Sequence, residues 1–367
     1  MDMLCVEPKN MLCAEPKISL VQSHNEWDPL EEVIIGIVDG ATIPGMSPSV
    51  RVTMPSRYHQ FFSENRGKTF QNVDPELCYK AQIELDGFAQ TLERLGVTVQ
   101  RPASRDHSVK YSTPHWESTG SYATMPRDSL IVIGDQIIEA PMSWKSRYYE
   151  TLAFRPLLKK YFQTGARWVA APKPTIEDAL FLHDGSMEQP WVLSEFEPVF
   201  DAADFFRCGR DIFVQRSHVT NLSGIEWMRR HLGNEYRVHM IQFDDPTAMH
   251  IDVNFLPLCP GKALANPERV PEIPEMFRDW EILYPPVPNL TDDAKLYMSS
   301  RWVAINILML DPNTVIVEQE EPELQTFFRN QGFDVVPVPF RNFCAFGGSF
   351  HCATLDIRRN GTLESIF

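Results

Sequence analysis

One pattern recurs five times along this chain: an extended or hairpin-like segment, a helical segment, and a further strand after a glycine or short turn. The first copy reads as strand Glu31–Val38, helix Asp74–Leu95 and strand Val97–Arg101. Asp74 suits the cap of that helix, Pro75 its first turn and Gly96 its end. Leu77, Ala81, Leu85, Phe88, Leu92 and Leu95 recur at helical spacing and predict one apolar face. The second copy has Leu130–Glu139 with a turn at Gly134-Asp135, a helical region Lys145–Thr164 with a kink expected at Pro156, and strand Trp168–Ala171. The third has strand Asp211–Arg216, helix Gly224–Leu232 and strand Tyr236–Phe243. The fourth is the least regular: Asp252–Leu264, a short helix near Glu272–Trp280, and Glu281–Tyr284. The fifth has Trp302–Glu318 turning at Asp311-Pro312-Asn313, helix Pro322–Gln331 and strand Phe333–Phe340. Such a unit leaves a sheet face uncovered, so five of them are expected to pack around a common axis. A pair of ordinary doubly wound α/β domains is the alternative that periodicity alone leaves open.

Charge narrows what such an array handles. The chain has 34 Lys+Arg against 49 Asp+Glu, a formal net charge of −15. Phosphate backbones demand a basic face, so a nucleic-acid partner is not expected, whereas a cationic substrate fits. The longest uncharged apolar run, Trp302 to Leu310, is well short of the ~20 residues that span a bilayer, so no membrane association is expected. Seven cysteines, with no Cys-x-x-Cys pair, argue against a disulfide framework and a zinc ribbon. Reduced thiols in a cytoplasmic protein are the expectation, and any one of them is open to use as a nucleophile. Met3–Lys9 and Met11–Lys17 form a near-repeat, MLCVEPK and MLCAEPK. It has neither the apolar core of a signal peptide nor the arginines of a transit segment. Residues 1–18 are therefore read as a flexible tail before a single domain, 19–367.

Three segments carry reactive groups. Phe200–Phe205 reads FDAADF, two carboxylates among small and aromatic residues. Met249–Asp252 reads MHID; if extended, it turns His250 and Asp252 to one face. Phe346–Cys352 reads FGGSFHC, where glycines permit tight turns and a thiol follows. In an extended segment His351 faces away from Cys352, which favours His250 as the partner of the thiol. A Cys, a His and several acids suit a cationic electrophile: the thiolate attacks, the His moves protons, and carboxylates clamp the cation. The rival use is a metal site of His239, His250 and Asp252, but these lack the tight spacing of a ligand set, and no metal is expected.

The stretches FDAADFFRCGRDIFVQRSHVTNLSGIEWMRRHL (Phe200–Leu232), DPTAMHIDVNF (Asp245–Phe255), YMSSRW (Tyr297–Trp302) and GGSFHCATLDIRRNGTL (Gly347–Leu363) resemble the arginine:glycine amidinotransferase family. HNEWDPLEEVIIG and MPRDSLIVIGDQIIEAP match as well, so the resemblance runs from about Val21 to the end. It implies a five-bladed α/β propeller, the fold of the guanidino-group-modifying enzymes. It also implies Cys352 as the nucleophile toward the guanidinium carbon of L-arginine, His250 as general acid/base, and Asp201 as the acid orienting His250. Asp128 and Asp252 would hold the guanidinium nitrogens, and Arg269 the carboxylate of arginine. Tyr122, Met249, Ser299 and Ser300 fall where the family has further substrate contacts. No cofactor is implied, the partners are L-arginine and a small amine, and relatives suggest a homodimer.

Departures from the animal glycine enzymes lie near the implied site. Thr247-Ala248 replace an Asn-Pro, Ala353 replaces a Trp and is expected to leave more room, and the stretch Thr175–Glu195 is shorter. The donor half of the reaction is expected to persist while the acceptor differs. A primary amine of a natural-product intermediate is the leading expectation, as in bacterial relatives that amidinate precursors of streptomycin, cylindrospermopsin and saxitoxin. Glycine is the alternative acceptor, and arginine deiminase-like hydrolysis a further alternative reaction.

Overall fold

The computed structural model describes residues 20–185, 191–290 and 295–367; the tail expected at 1–18, and residues 186–190 of the shortened stretch, lie outside them. The five repeats become five three-stranded sheets, joined among the described residues by one small ribbon, Tyr111–Ser112 with Glu117–Ser118. In the second blade Leu130–Ile133 turns back antiparallel into Gln136–Glu139, and the chain crosses through helix Arg155–Gln163 to the parallel strand Arg167–Ala170. The third blade repeats this with Phe205–Cys208, Asp211–Gln215, helix Leu222–Leu232 and Arg237–Ile241. The fourth uses Phe255–Cys259, Lys262–Ala265 and Glu281–Leu283, with only the 3₁₀ turn Glu275–Phe277 in its crossover. The fifth uses Leu308–Asp311, Thr314–Glu318, helix Pro322–Asn330 and Asp334–Val338. Parallel pairs need such a crossover, whereas antiparallel pairs need only a tight turn. Gly134 and Gly209 supply two of those turns at φ +62° and +65°, a backbone that L side chains rarely adopt.

The first blade is divided between the ends of the sequence. Leu30–Ile35 pairs parallel with Thr98–Gln100 across helix Pro75–Arg94, and antiparallel with Thr354–Arg359. The last strand thus closes the ring onto the first, and the fold is a five-bladed α/β propeller. The strands nearest the axis are almost continuously apolar, for example LIVI and FLPLC, and are buried along their length. That composition is what a strand covered on both faces requires. The outer strands alternate between half-buried and exposed.

The sequence signals hold at the helix ends and fail inside one segment. Asp74 caps Pro75–Arg94 by accepting from Leu77 N at 3.3 Å. Leu77, Ala81, Leu85, Phe88 and Leu92 face the core as expected, but Leu95 is the C-terminal cap residue and is exposed. Phe88 packs edge-on to Phe340 and Phe350, 5.2 and 5.1 Å between ring centres, so this helix braces the segment that carries Cys352. The helix expected over Lys145–Thr164 is instead two 3₁₀ turns, Lys145–Arg147 and Glu150–Ala153, followed by Arg155–Gln163. Pro156 starts that helix and does not kink it, because its missing N–H costs nothing in a first turn.

Charge, not only hydrocarbon, fills the axis. Arg207 clasps Glu26 through Nε and Nη2 at 2.8 and 2.7 Å, and reaches Asp356 at 2.8 Å. Arg127 bridges the same two acids at 3.3 and 2.7 Å. Arg359 binds Asp356 at 2.8 Å and donates to the Met309 carbonyl of the fifth blade. Arg207 likewise donates to the Val132 carbonyl of the second blade. These arginines tie the innermost strands together where no water reaches them. No helix of the described residues is long and apolar enough to cross a membrane.

Candidate active site

Each blade enters its innermost strand through a short turn; three of these turns line one cavity, and the turns that carry Asp128 and Asp201 stand behind its His250. Pro126–Ser129 carries Asp128. Asp201 precedes the 3₁₀ turn Ala202–Asp204. His250 precedes Ile251–Val253, which holds Asp252. Ser299 and Ser300 precede Arg301–Ile305, which ends at Asn306. Cys352 follows Phe343–Phe346 and its glycines, just before Thr354. Because Ile251–Val253 is a helical turn, MHID is not extended throughout, yet His250 and Asp252 still meet at the same site. The cavity is about 910 Å³ and reaches from Cys352, His250 and Asp252 out to Arg51, Ser56, His59 and Thr247.

The reacting groups are close and no more than 6% exposed. The Cys352 thiol donates to Asp252 Oδ2 at 3.3 Å. His250 Nε2 lies 3.2 Å from Asp201 Oδ2, and its Nδ1 lies 3.6 Å from Asp128 Oδ1. Asp128 Oδ2 accepts from Arg147 Nη1 at 2.9 Å, and Arg147 is fixed by two bonds to Glu150 of 2.7 and 2.6 Å. One oxygen each of Asp128, Asp201 and Asp252 is buried with no hydrogen-bond partner among the described residues. Buried carboxylate oxygens are almost always satisfied. Asp128 and Asp252 lie beside the thiol, and their free oxygens suit a ligand rich in N–H donors such as a planar cation of the guanidinium type, while Asp201 stands behind His250.

Two backbone details hold the thiol in place. Asn306 Oδ1 accepts from both Ser349 N and Cys352 N, at 2.9 and 3.0 Å. A Cβ on Gly348 would stand 2.5 Å from Cys352 Cβ, so only glycine fits there.

The charges set the resting protonation. Burial alone would lower the His250 pKa, but Asp128 and Asp201 outweigh it and push it up to about 10. Burial, with Asp252 and Asp128 alongside, lifts the Cys352 thiol well above its ordinary value. Burial also raises Asp128, against the pull of His250 and Arg147. Asp252 goes the other way: burial opposes ionisation, but the hydrogen bond and charge of His351 prevail and hold it low. These charges pair a neutral thiol with an imidazolium among carboxylates that suit a further cation.

Met249, Arg269, Ser299 and Ser300 line the cavity. Arg269 is already paired with Asp245 at 3.1 Å and lies 3.5 Å from Ser300 Oγ. Tyr122 is buried below the cavity wall, its ring 5.1 Å from the Arg147 guanidinium carbon. Ala353 packs in the core and does not line the cavity, so the extra room expected there is not at the site. His239 is bound to Asp211 on the third blade, so the trio His239, His250 and Asp252 does not form a cluster. The groups within reach of one ion are Asp128, His250 and Cys352, whose ligand atoms lie within 4.8 Å of one another. They are the same groups that covalent chemistry needs.

Sequence reasoning missed Arg147, Glu150, Asn306, Glu26 and the part played by His351. Asn306 carried one signal, as the lone amide in the apolar run from Trp302 to Leu310. Arg147 and Glu150 carried none, because the segment read as an ordinary helix.

No family model matches the chain. It is 49% identical over 353 residues to the L-arginine:L-lysine amidinotransferase of Pseudomonas savastanoi pv. phaseolicola, covering 95% of this chain and 96% of that one. It is 47% identical over 360 residues to the mitochondrial glycine amidinotransferase of Gallus gallus, covering 95% and 85%. Among solved structures, SxtG, an amidinotransferase of saxitoxin biosynthesis from Microseira wollei, superposes with TM-score 0.88 at 46% identity, over 95% of this chain and all of that one. The inosamine-phosphate amidinotransferase of Streptomyces griseus gives 0.86 at 35% identity, over 95% and 99%. A dimethylarginine dimethylaminohydrolase gives 0.56 at 14% identity over 89% and 99%, a likeness of fold alone.

Proposed function

The chain belongs to the arginine-dependent amidinotransferases, and on that premise we propose that it transfers the amidino group of L-arginine, through Cys352, to a primary amine larger than glycine on a natural-product intermediate. The observation that carries the donor half is the pair of orphan carboxylate oxygens on Asp128 and Asp252 beside one thiol, with Asp201 on His250 behind them. The acceptor half is supported by the cavity of about 910 Å³, near the top of the range for sites that enclose drug-sized ligands.

The chemistry follows from the charges. Guanidinium is a poor electrophile because resonance spreads its charge. Asp128 and Asp252 seat it in a plane with its carbon toward sulfur. The arriving cation offsets the carboxylates that hold the thiol protonated, so sulfur ionises as substrate binds. Sulfur then bonds to the carbon, and the C–N bond to the ornithine nitrogen breaks. The sulfur proton passes to solvent as sulfur ionises, and His250, resting as an imidazolium, gives the leaving nitrogen a proton and is left neutral. Ornithine leaves and an amidino-cysteine remains. The neutral acceptor amine bonds to the amidino carbon, gives a proton to the neutral His250 and displaces the thiolate, which regains a proton from solvent, so the resting imidazolium and thiol are restored. Two displacements at one sulfur predict ping-pong kinetics. Arg269 is assigned to the arginine carboxylate, and Ser299, Ser300 and Met249, which line the same cavity, to further substrate contacts.

Mass spectrometry of the protein with L-arginine and a panel of amines tests this reading. Ornithine with a guanidino product of a larger amine is expected. Efficient amidination of glycine alone would sink the larger-acceptor reading, and citrulline or urea as the main product would replace transfer by hydrolysis. An amino-acid acceptor is the second reading, favoured by the identity to the lysine and glycine enzymes. A homodimer is the assembly we propose by likeness to the family.

A further inference from the structure

We propose that His351 and Glu26 form a positioning pair: an imidazolium held under Asp252 that offsets the charge of this carboxylate on the side away from substrate. This rests on the reading of Cys352 as nucleophile, and it assigns a task to two residues outside the cavity. His351 does not line the cavity. The turn before the last strand aims its ring beneath Asp252, where Nδ1 lies 2.7 Å from Asp252 Oδ2. Its other nitrogen, Nε2, lies 3.3 Å from Glu26 Oε2.

Ionised carboxylates only accept hydrogen bonds. A neutral ring would aim a lone pair at one of these two acids, so both nitrogens carry protons. Nor is either acid free to turn away. Glu26 is clasped by Arg207 and reached by Arg127. Arg127 Nε also donates to the His351 carbonyl at 2.8 Å, and Asn306 O accepts from His351 N. Behind Glu26, Arg127 and Arg207 both pair with Asp356. The ring thus faces Asp252 above and Glu26 below, and is fixed by its backbone.

The consequence concerns the thiol. Cys352 donates to the same oxygen, Asp252 Oδ2, that His351 binds. A carboxylate without a countercharge 3.3 Å from sulfur would oppose thiolate formation. The imidazolium offsets that charge from below and leaves Oδ1, the orphan oxygen, for substrate. One acid can then hold the guanidinium without disabling the nucleophile beside it.

Two measurements test the proposal. In protein labelled with ¹⁵N-histidine, the His351 ring, assigned with the His351→Gln variant, is expected to show both nitrogens protonated at the pH of the activity assay. A singly protonated ring under those conditions overturns the proposal. The pH profile of Cys352 alkylation by iodoacetamide is the second, with Cys352→Ala correcting for the other thiols. In His351→Gln its midpoint is expected to rise by about one unit, with donor-half kcat about tenfold lower and arginine KM little changed. Glu26→Gln is expected to move the midpoint in the same direction. A folded His351→Gln protein with the wild-type midpoint overturns the proposal; if that variant does not fold, the labelled wild type, assigned by elimination with other His→Gln variants, decides. Ornithine release by Cys352→Ala would instead refute the nucleophile itself, and the protonation of His351 reads out independently of that.

Discussion

His250 shows how little of a residue's function lies in its own type. The same imidazole on a surface would be neutral at pH 8; between Asp128 and Asp201 it is pushed up to about 10, against burial. A group raised in this way keeps its proton below that value and loses it above. Release of ornithine from L-arginine is therefore expected to hold through neutral pH and to fall as pH passes about 10, measured as kcat/KM for the donor half. An optimum near pH 6.5 with decline by pH 8 would contradict the assigned acid. Asn306 has the opposite character, a neutral amide that touches no substrate yet fixes Ser349 and Cys352 through their N–H groups. Asn306→Ala leaves two buried donors without an acceptor, at about 1–3 kcal/mol each. Its donor kcat is expected to fall by more than tenfold while arginine binding, followed by calorimetry, weakens little. Cys352, His250 and Asp201 were legible because motif and chemistry coincide in short segments. Arg147 and Asn306 were not, because their value comes from partners such as Asp201 and Cys352, 54 and 46 residues away, that only the fold brings near.

At the scale of elements, the long pieces were readable and the short ones were not. Helix Pro75–Arg94 announces itself by an acid cap, a proline and an apolar face, because each answers a requirement of the helical backbone. The turns Ala202–Asp204 and Ile251–Val253 have three residues apiece, too few for any periodicity to show. Yet they hold the acids in place. The most exacting of these pieces is the glycine pair before Cys352. Gly347 takes φ +105°, and Gly348 has no space for a Cβ against Cys352 Cβ and Met125 Sδ. Gly348→Ala must displace either the nucleophile or the methionine. We expect a cooperative fold by circular dichroism and a loss of donor kcat of at least tenfold, since about 1 Å of misplacement carries costs of that order. Full activity in that variant would mean that the turn is more yielding than its contacts indicate.

For the whole molecule, the charged axis sets the response to acid. Burial would raise the Asp356 and Glu26 carboxyls, but Arg207 and Arg127, with Arg359 also on Asp356, prevail and hold both well below the usual range. A carboxyl depressed in the folded state stabilises it above the unfolded value near 4, and that stability drains away as pH falls further. Glu150 and Asp204 have the opposite sign: burial pushes each up to about 7, so they favour the fold increasingly as pH drops from 7 toward 4. Burial lowers His24, His107, His218 and His231, which oppose that gain by costing stability as pH drops below about 6.5, so the melting temperature is expected to change little between pH 7 and 5 and to collapse below about pH 4. Calorimetry across that range checks it. Asp356→Asn strands three buried arginines and is expected to cost about 3–5 kcal/mol; a change under 1 kcal/mol would show the axis to be unimportant.

The closure of the ring by Thr354–Arg359 has one more consequence, which concerns time. A ribosome makes the chain from Leu30 onward, so the first strand emerges while its antiparallel partner is still about 320 residues from being made. Every acid and base of the cavity is synthesised before the thiol. Cys352 then arrives two residues ahead of the strand that completes the first blade. A nascent chain carries a complete set of guanidinium-binding carboxylates and nothing to attack with. Reactivity and the final seam are delivered together, by the same few residues.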